Sequence, residues 1–175
     1  MNYALIIVLS FLLMEPLTYL AHKHVMHGVG WTLHASHHRP RETVVELNDL
    51  FPLFFAVITM GAFLAGTQVH GLRYLIPTGV GVTVYGLAYS FVHDVYIHGR
   101  FFKVGRISLL EPLKQAHILH HMFNGEPYGM LIPIVPKSIR SKAERLFAAQ
   151  GTNPYDPSFL QGPDLSSGRK YIVVE

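Results

Sequence analysis

The chain has 175 residues, a formal net charge of +3 and a mean hydropathy of +0.28; half its residues are apolar and only 14% are charged. An ordinary soluble domain carries about a quarter charged residues, so the composition argues against that class and for a single membrane-embedded domain. Because the sequence contains no cysteine, thiolate-ligated haem, iron–sulfur clusters and disulfide staples are excluded within this chain.

Three apolar stretches organise the first half. Residues 3–21 carry a single charge, Glu15, while residues 50–72 and 74–92 carry none. About 20 mostly apolar residues cross a hydrocarbon core of roughly 30 Å, so each stretch is predicted to span a lipid bilayer. The alternative is three helices buried in a water-soluble core. The first stretch has no basic leader and runs directly into His22 and His27, which reads as a span and not a cleaved signal peptide. Pro16 should kink it. Asn48 or Asp49 can cap the second span, with Pro52 tolerated in its first turn, and Pro40 ends the segment before it. Arg73 marks the turn into the third span.

Further on, residues 108–123 have the period of an amphipathic helix, with Leu109, Leu113, Ala116 and His120 on one stripe. Residues 128–136 are apolar but too short to span and are expected at the membrane interface. Residues 137–149 read as a basic amphipathic helix of the membrane-surface type, and residues 151–175 as a polar tail with no assigned chemistry. The expected organisation is a membrane-embedded domain over residues 1–136, followed by a basic helix and polar C-terminal tail over 137–175. The fold class is all-α, an integral membrane helical bundle with three or four spanning helices.

Basic residues orient the bundle. Lys23, Arg39 and Arg41 follow the first span, and Arg100, Lys103, Arg106 and Lys114 follow the third. By the positive-inside rule, segments 22–49 and 93–175 are cytoplasmic.

Ten of the twelve histidines fall into four boxes. Two are His-x4-His, formed by His22/His27 and His93/His98; two are His-x2-His-His, formed by His34/His37/His38 and His117/His120/His121. One crossing precedes the first two boxes and three precede the last two, so all four lie on one membrane face. The order of boxes repeats, which suggests two half-sites facing each other. On an α-helix, positions i, i+3 and i+4 lie at about 0°, 300° and 40°, so one His-x2-His-His helix can aim three imidazoles to one side. The His-x4-His pair lies about 140° apart on the same geometry, and therefore needs local unwinding or serves different metals.

Ten imidazoles exceed the three or four ligands of a zinc site and suit two six-coordinate ions, such as a pair of irons activating dioxygen. Spacing alone leaves zinc and copper open. The Glu-x-x-His motif of the soluble di-iron bundles is not found. Glu15, a carboxylate within an apolar span, is a functional candidate by default. It could accept a proton from an imidazole, or bond to Tyr19, Thr18 or another helix. Asp94, beside His93, is a candidate to brace an imidazole from behind, or a solvated helix-end charge. His24 and His70 fit no box, and His70 is expected in the outer turn. No Gly-x-Gly-x-x-Gly dinucleotide fingerprint is found, so electrons must come from a partner. The basic cluster Arg39, Arg41, Arg100, Lys103, Arg106 and Lys114 could dock an acidic carrier. No nucleic-acid partner is expected.

The stretches Ala21-His-Lys-His-Val-Met-His-Gly28, Leu33-His-Ala-Ser-His-His38, Glu46-Leu-Asn-Asp-Leu-Phe51, Tyr85-Gly-Leu, Phe91-Val-His-Asp94 and Ala116-His-Ile-Leu-His-His121 resemble the carotenoid branch of the fatty-acid-hydroxylase (sterol desaturase) superfamily of membrane histidine-box di-iron oxygenases. The match covers roughly residues 14–135. The resemblance implies hydroxylation at C3 of the β-ionone rings of carotenoids, from β-carotene through β-cryptoxanthin to zeaxanthin. It also implies two iron ions as cofactors, O2 as co-substrate, two electrons from a reduced ferredoxin-type donor, and a place in a bacterial inner membrane with the site facing the cytoplasm. The family's metal ligands carry over to His22, His27, His34, His37, His38, His93, His98, His117, His120 and His121. Other reactions served by the same boxes are carotenoid ketolation and fatty-acid or sterol hydroxylation or desaturation. Membrane metal binding or transport is the alternative from a different class.

Overall fold

The computed structural model describes residues 2–39 and 43–150; Pro40, Arg41 and the tail 151–175 lie outside the described residues. Helix α1 (Tyr3–Leu20) continues into a π-helical segment, Ala21–Val29, and a short α2 (Trp31–His34). Then come α3 (Leu50–Gln68), α4 (Leu75–Ser90) with its own π-helical extension Phe91–Ile97, α5 (Glu111–Phe123) and α6 (Lys137–Gln150). No strand occurs among the described residues.

The three apolar stretches form the three helices among the described residues that are long and apolar enough to cross a membrane: Tyr3–Val29, Leu47–Gln68 and Leu75–Ile97. They are not core helices of a water-soluble fold. Only 6% of the most apolar window of the first and second is buried, and 28% of the third. Leu12, Leu13, Leu53, Val57, Met60 and Leu87 all stand more than half exposed on the bundle's outside. A surface this apolar is stable against lipid and a liability against water.

Small residues let the spans approach. A Cβ on Gly81 of α4 would sit 2.4 Å from the Ile7 carbonyl oxygen and 2.8 Å from Ser10 Cβ, both on α1. Backbone-to-backbone contact of this kind replaces the missing hydrophobic drive between helices in lipid.

Buried side chains gather instead at the end of the bundle where the histidines lie. Val92, Tyr96 and Ile97 pack with Leu113, Ile118 and Met130. On the other side of α5, Leu119 packs against Ala143 and Phe147 of α6. The inward stripe of α5 keeps Leu113, Ala116 and His120 but loses Leu109, which is 83% exposed because the helix starts at Glu111. The expected caps of the second span also differ. Asp49 precedes α3 without a side-chain cap bond; its carboxylate accepts the Glu46 amide and pairs with Arg100, while the Asn48 amide oxygen faces His34. The 128–136 stretch only partly follows its interfacial reading, since Met130 is buried whereas Ile132 and Ile134 are exposed.

Candidate metal centre

Both His-x4-His pairs lie on π-helical turns. Gly30 N–H donates to Val25 O at 2.7 Å and His98 N–H to His93 O at 3.0 Å, each the five-residue reach of a π-turn. The wider turn brings residues five apart toward one face, which removes the 140° conflict of an α-helix. Gly99 follows at φ +55°, a left-handed conformation that glycine adopts without a Cβ penalty, and turns the chain away after His98.

All ten boxed histidines converge, in two groups. His22, His27, His34, His38 and His120 present ring nitrogens within 4.8 Å of one another, as do His37, His93, His98 and His117. His121 joins the second group, with Nε2 3.2 Å from His37 Nε2 and 2.9 Å from His117 Nε2. The grouping follows the two half-sites expected from the repeat for eight of the ten histidines, with one imidazole exchanged in each direction. Each His-x2-His-His box splits: His34 and His38, four apart, go to one group and His37 to the other; His117 and His121 go to the second group and His120 to the first. Each group is thus completed by one imidazole from the opposite half of the chain. At their boundary the His38 and His121 rings stack with centroids 4.3 Å apart.

Ring orientation makes these groups donor sets. His22 Nδ1–H donates to the Tyr128 carbonyl at 3.0 Å, His34 to Asn48 Oδ1 at 2.7 Å and His120 to the Gly125 carbonyl at 2.6 Å. His37 Nδ1–H faces Glu46 Oε2 at 3.3 Å and His93 Nδ1–H faces Asp94 Oδ1 at 3.0 Å. Because these partners are acceptors, the proton sits on Nδ1 and the Nε2 lone pair points inward. Nε2–Nε2 separations are then 3.1 Å for His22–His34, 3.2 Å for His27–His120, 2.9 Å for His37–His93 and 2.9 Å for His98–His117. Two lone pairs at that distance repel unless a cation lies between them. A metal–nitrogen bond of about 2.1 Å puts adjacent octahedral ligands at about this spacing, so the residues fit a metal ion in each group.

Burial keeps the rings neutral and ready to ligate. It lowers the His34 imidazole to about 4, against hydrogen bonding from Asn48 that raises it. His37, His117, His120 and His121 are pushed well down by burial, and neighbouring imidazoles add to the effect. His38 is lowered for the same reasons, and its Nδ1 is buried without a hydrogen-bond partner among the described residues. His24 and His70 are exposed, His70 in the turn between α3 and α4, and neither joins a group.

Glu15 bonds to no imidazole. Its carboxylate accepts Tyr85 Oη–H at 2.6 Å and the Met130, Leu131 and Ile132 amides at 2.9–3.1 Å. It thereby pins the loop whose Tyr128 carbonyl holds His22; of the two readings of Glu15, the bond to another helix is the one found, through Tyr85 of α4. Asp94 Oδ1 lies 3.0 Å from His93 Nδ1 and 3.6 Å from Arg100 Nη1, with its side chain 21% exposed. Sequence reasoning gave Asn48 only a capping role and gave Glu46 and the carbonyls of Gly125 and Tyr128 none. The first two sit in a polar segment between a box and a span, a signal that could have been used. Backbone carbonyls leave none. Arg100 is withdrawn from the expected docking cluster, since its side chain is only 8% exposed and pairs with Asp49 and Asp94.

The fold and site define a helical membrane protein with two polyhistidine groups that fit metal ions at one end of its spans. The fatty acid hydroxylase family profile matches residues 7–139. The beta-carotene hydroxylase of Pseudescherichia vulneris is 44% identical over 124 residues, covering 70% of this chain and 69% of that protein. The beta-carotene hydroxylase of Pantoea ananas is 40% identical over 126 residues, covering 70% of each. The chloroplastic beta-carotene 3-hydroxylase 2 of Arabidopsis thaliana is 39% identical over 118 residues, 64% of this chain and 39% of that one. No solved structure matches. The chain belongs to the fatty acid hydroxylase family, and it is an oxygenase enzyme.

Proposed function

We propose that this protein hydroxylates C3 of the β-ionone rings of carotenoids, taking β-carotene through β-cryptoxanthin to zeaxanthin. The ten boxed histidines hold two iron ions in this reading, on the cytoplasmic side of a bacterial inner membrane. The observation that carries it is the convergence of ten inward-facing Nε2 atoms in two groups, in a chain whose relatives in bacteria and plants are named for this reaction.

The iron pair would supply the activation of O2, with two electrons delivered by a reduced ferredoxin-type donor. The chain supplies geometry and exclusion of water. Tyr128, Asn48, Glu46, Asp94 and Gly125 hold protons at the Nδ1 atoms and so keep Nε2 free. A groove of about 410 Å³ between α1, α3 and α4, lined by Met14, Leu17, Ala21, Phe55, Ile58 and Val82 among others, is almost wholly apolar and reaches the residue preceding His22. It suits an apolar polyene that enters from lipid and presents one ring to the histidines. The catalytic unit is assigned to residues 1–136, with the basic helix beyond it resting on α5 through Ala143 and Phe147.

Expression in a bacterium that accumulates β-carotene, followed by pigment chromatography, tests the proposal. Mono- and dihydroxylated rings are expected. Keto products would point instead to a ketolase, and unchanged pigment in cells that make the protein would reject carotenoid oxidation.

A further inference from the structure

The two histidine groups differ in the charge of the oxygens behind them. In the group of His37, His93, His98, His117 and His121, two Nδ1 atoms face carboxylates, Glu46 at 3.3 Å and Asp94 at 3.0 Å. These contacts are shielded: the side chains of His37 and Glu46 are 6% and 9% exposed, and those of His93 and Asp94 are 5% and 21% exposed. In the group of His22, His27, His34, His38 and His120, the oxygens that receive Nδ1–H are uncharged, namely the Tyr128 and Gly125 carbonyls and the Asn48 amide. His38 Nδ1 has no partner among the described residues.

An imidazole whose Nδ1–H points at a carboxylate is a stronger donor at Nε2 than one whose partner is a neutral carbonyl. The carboxylates also offset the positive charge of an ion surrounded by neutral rings. Arg100 tempers this, lying 3.6 Å from Asp94 and within electrostatic reach of Glu46, but its strongest partner is Asp49.

We infer that the two metal positions are inequivalent, and that Glu46 and Asp94 are positioning residues that make the position ringed by His37, His93, His98, His117 and His121 the tighter of the two. This rests on the reading of the boxed histidines as iron ligands. The tighter position holds its ion through purification and handling, and the looser one empties first.

The test uses the full-length protein in detergent, loaded anaerobically with iron(II) and challenged with a chelator of graded strength. One equivalent is expected to leave about ten-fold more readily than the other. Glu46→Gln and Asp94→Asn, which keep the side-chain shape, are each expected to weaken the retained equivalent about ten- to a hundred-fold and to leave the labile one where it was. Asn48→Ala is expected to do the opposite. Two equivalents that leave the unsubstituted protein together overturn the inference and leave the two-iron reading standing, as would E46Q and D94N both loosening only the labile equivalent. Protein that takes up no iron overturns both.

Discussion

Tyr85 donates a 2.6 Å hydrogen bond to Glu15 from 70 positions further along the chain, joining α4 to α1 inside the apolar part of the bundle. Thr18 Oγ1 lies 2.7 Å from the same hydroxyl. The Glu15 carboxylate also receives three successive backbone amides from the loop after α5, so one buried side chain ties two spans to the segment that supports His22. A carboxylate accepting this many donors is stable in an apolar setting, where an unpaired one is not.

Glu15→Gln places an amide NH2 among donors and removes the charge that strengthens each bond. The expected loss of stability is about 2–4 kcal/mol, read from denaturant unfolding in detergent, with reduced metal content in the surviving protein. Tyr85→Phe removes only one donor and should cost about 1–2 kcal/mol. A Glu15→Gln protein as stable as its parent would remove the clasp from this account.

Substitution of any boxed histidine by alanine should reduce carotenoid hydroxylation at least about a hundred-fold, in line with the loss of a group that acts as part of a unit. His24→Ala and His70→Ala, at exposed positions outside both groups, should keep normal activity. Pigment yield per unit of membrane-inserted protein is the measurement. Full activity in His120→Ala would contradict its place in the site.

Arg100 donates to Asp49 Oδ1 at 2.7 Å and to the Val44 carbonyl at 2.8 Å, with Asp94 close by. Arg100→Met should cost about 2–3 kcal/mol, below the full penalty for a severed buried pair because Asp49 and Asp94 are partly exposed. Arg100→Lys should recover little, since a single ammonium cannot reproduce the fork. Thermal unfolding of the two variants side by side decides it.

Gly81→Ala should separate α1 from α4, because the added carbon meets the Ile7 carbonyl at 2.4 Å. About 1–3 kcal/mol of destabilisation is expected from such overpacking. Gly86→Ala, with nothing within 4 Å of the added carbon, should leave stability unchanged or slightly raised. Equal effects at the two glycines would mean that the close approach of the spans contributes nothing.

The spans and the ten histidines were legible because charge-free runs and repeated spacings are properties of the sequence itself. The exchange of His37 and His120 between the two halves was not. It depends on π-turns that re-aim His27 and His98, and on the i, i+4 pair of each triplet parting from its middle member, which no single helix wheel reveals. Glu15 announced itself as a charge out of place, yet its partners are amides of residues 130–132, and an amide looks the same under any side chain. Leu109 was assigned to a buried stripe because periodicity says nothing of where a helix starts; Asn48 and Asp49 were read as caps because that is their local preference, and tertiary partners took both.

The exchange of His37 and His120 between groups also sets a clock on assembly. Neither ring of imidazoles can close while the ribosome is still making the first two spans, because one lacks a single nitrogen that comes from α5 and the other lacks nearly all of its members. Completion of both groups must therefore follow synthesis of α5, and a chain truncated before residue 117 would lack His117, His120 and His121.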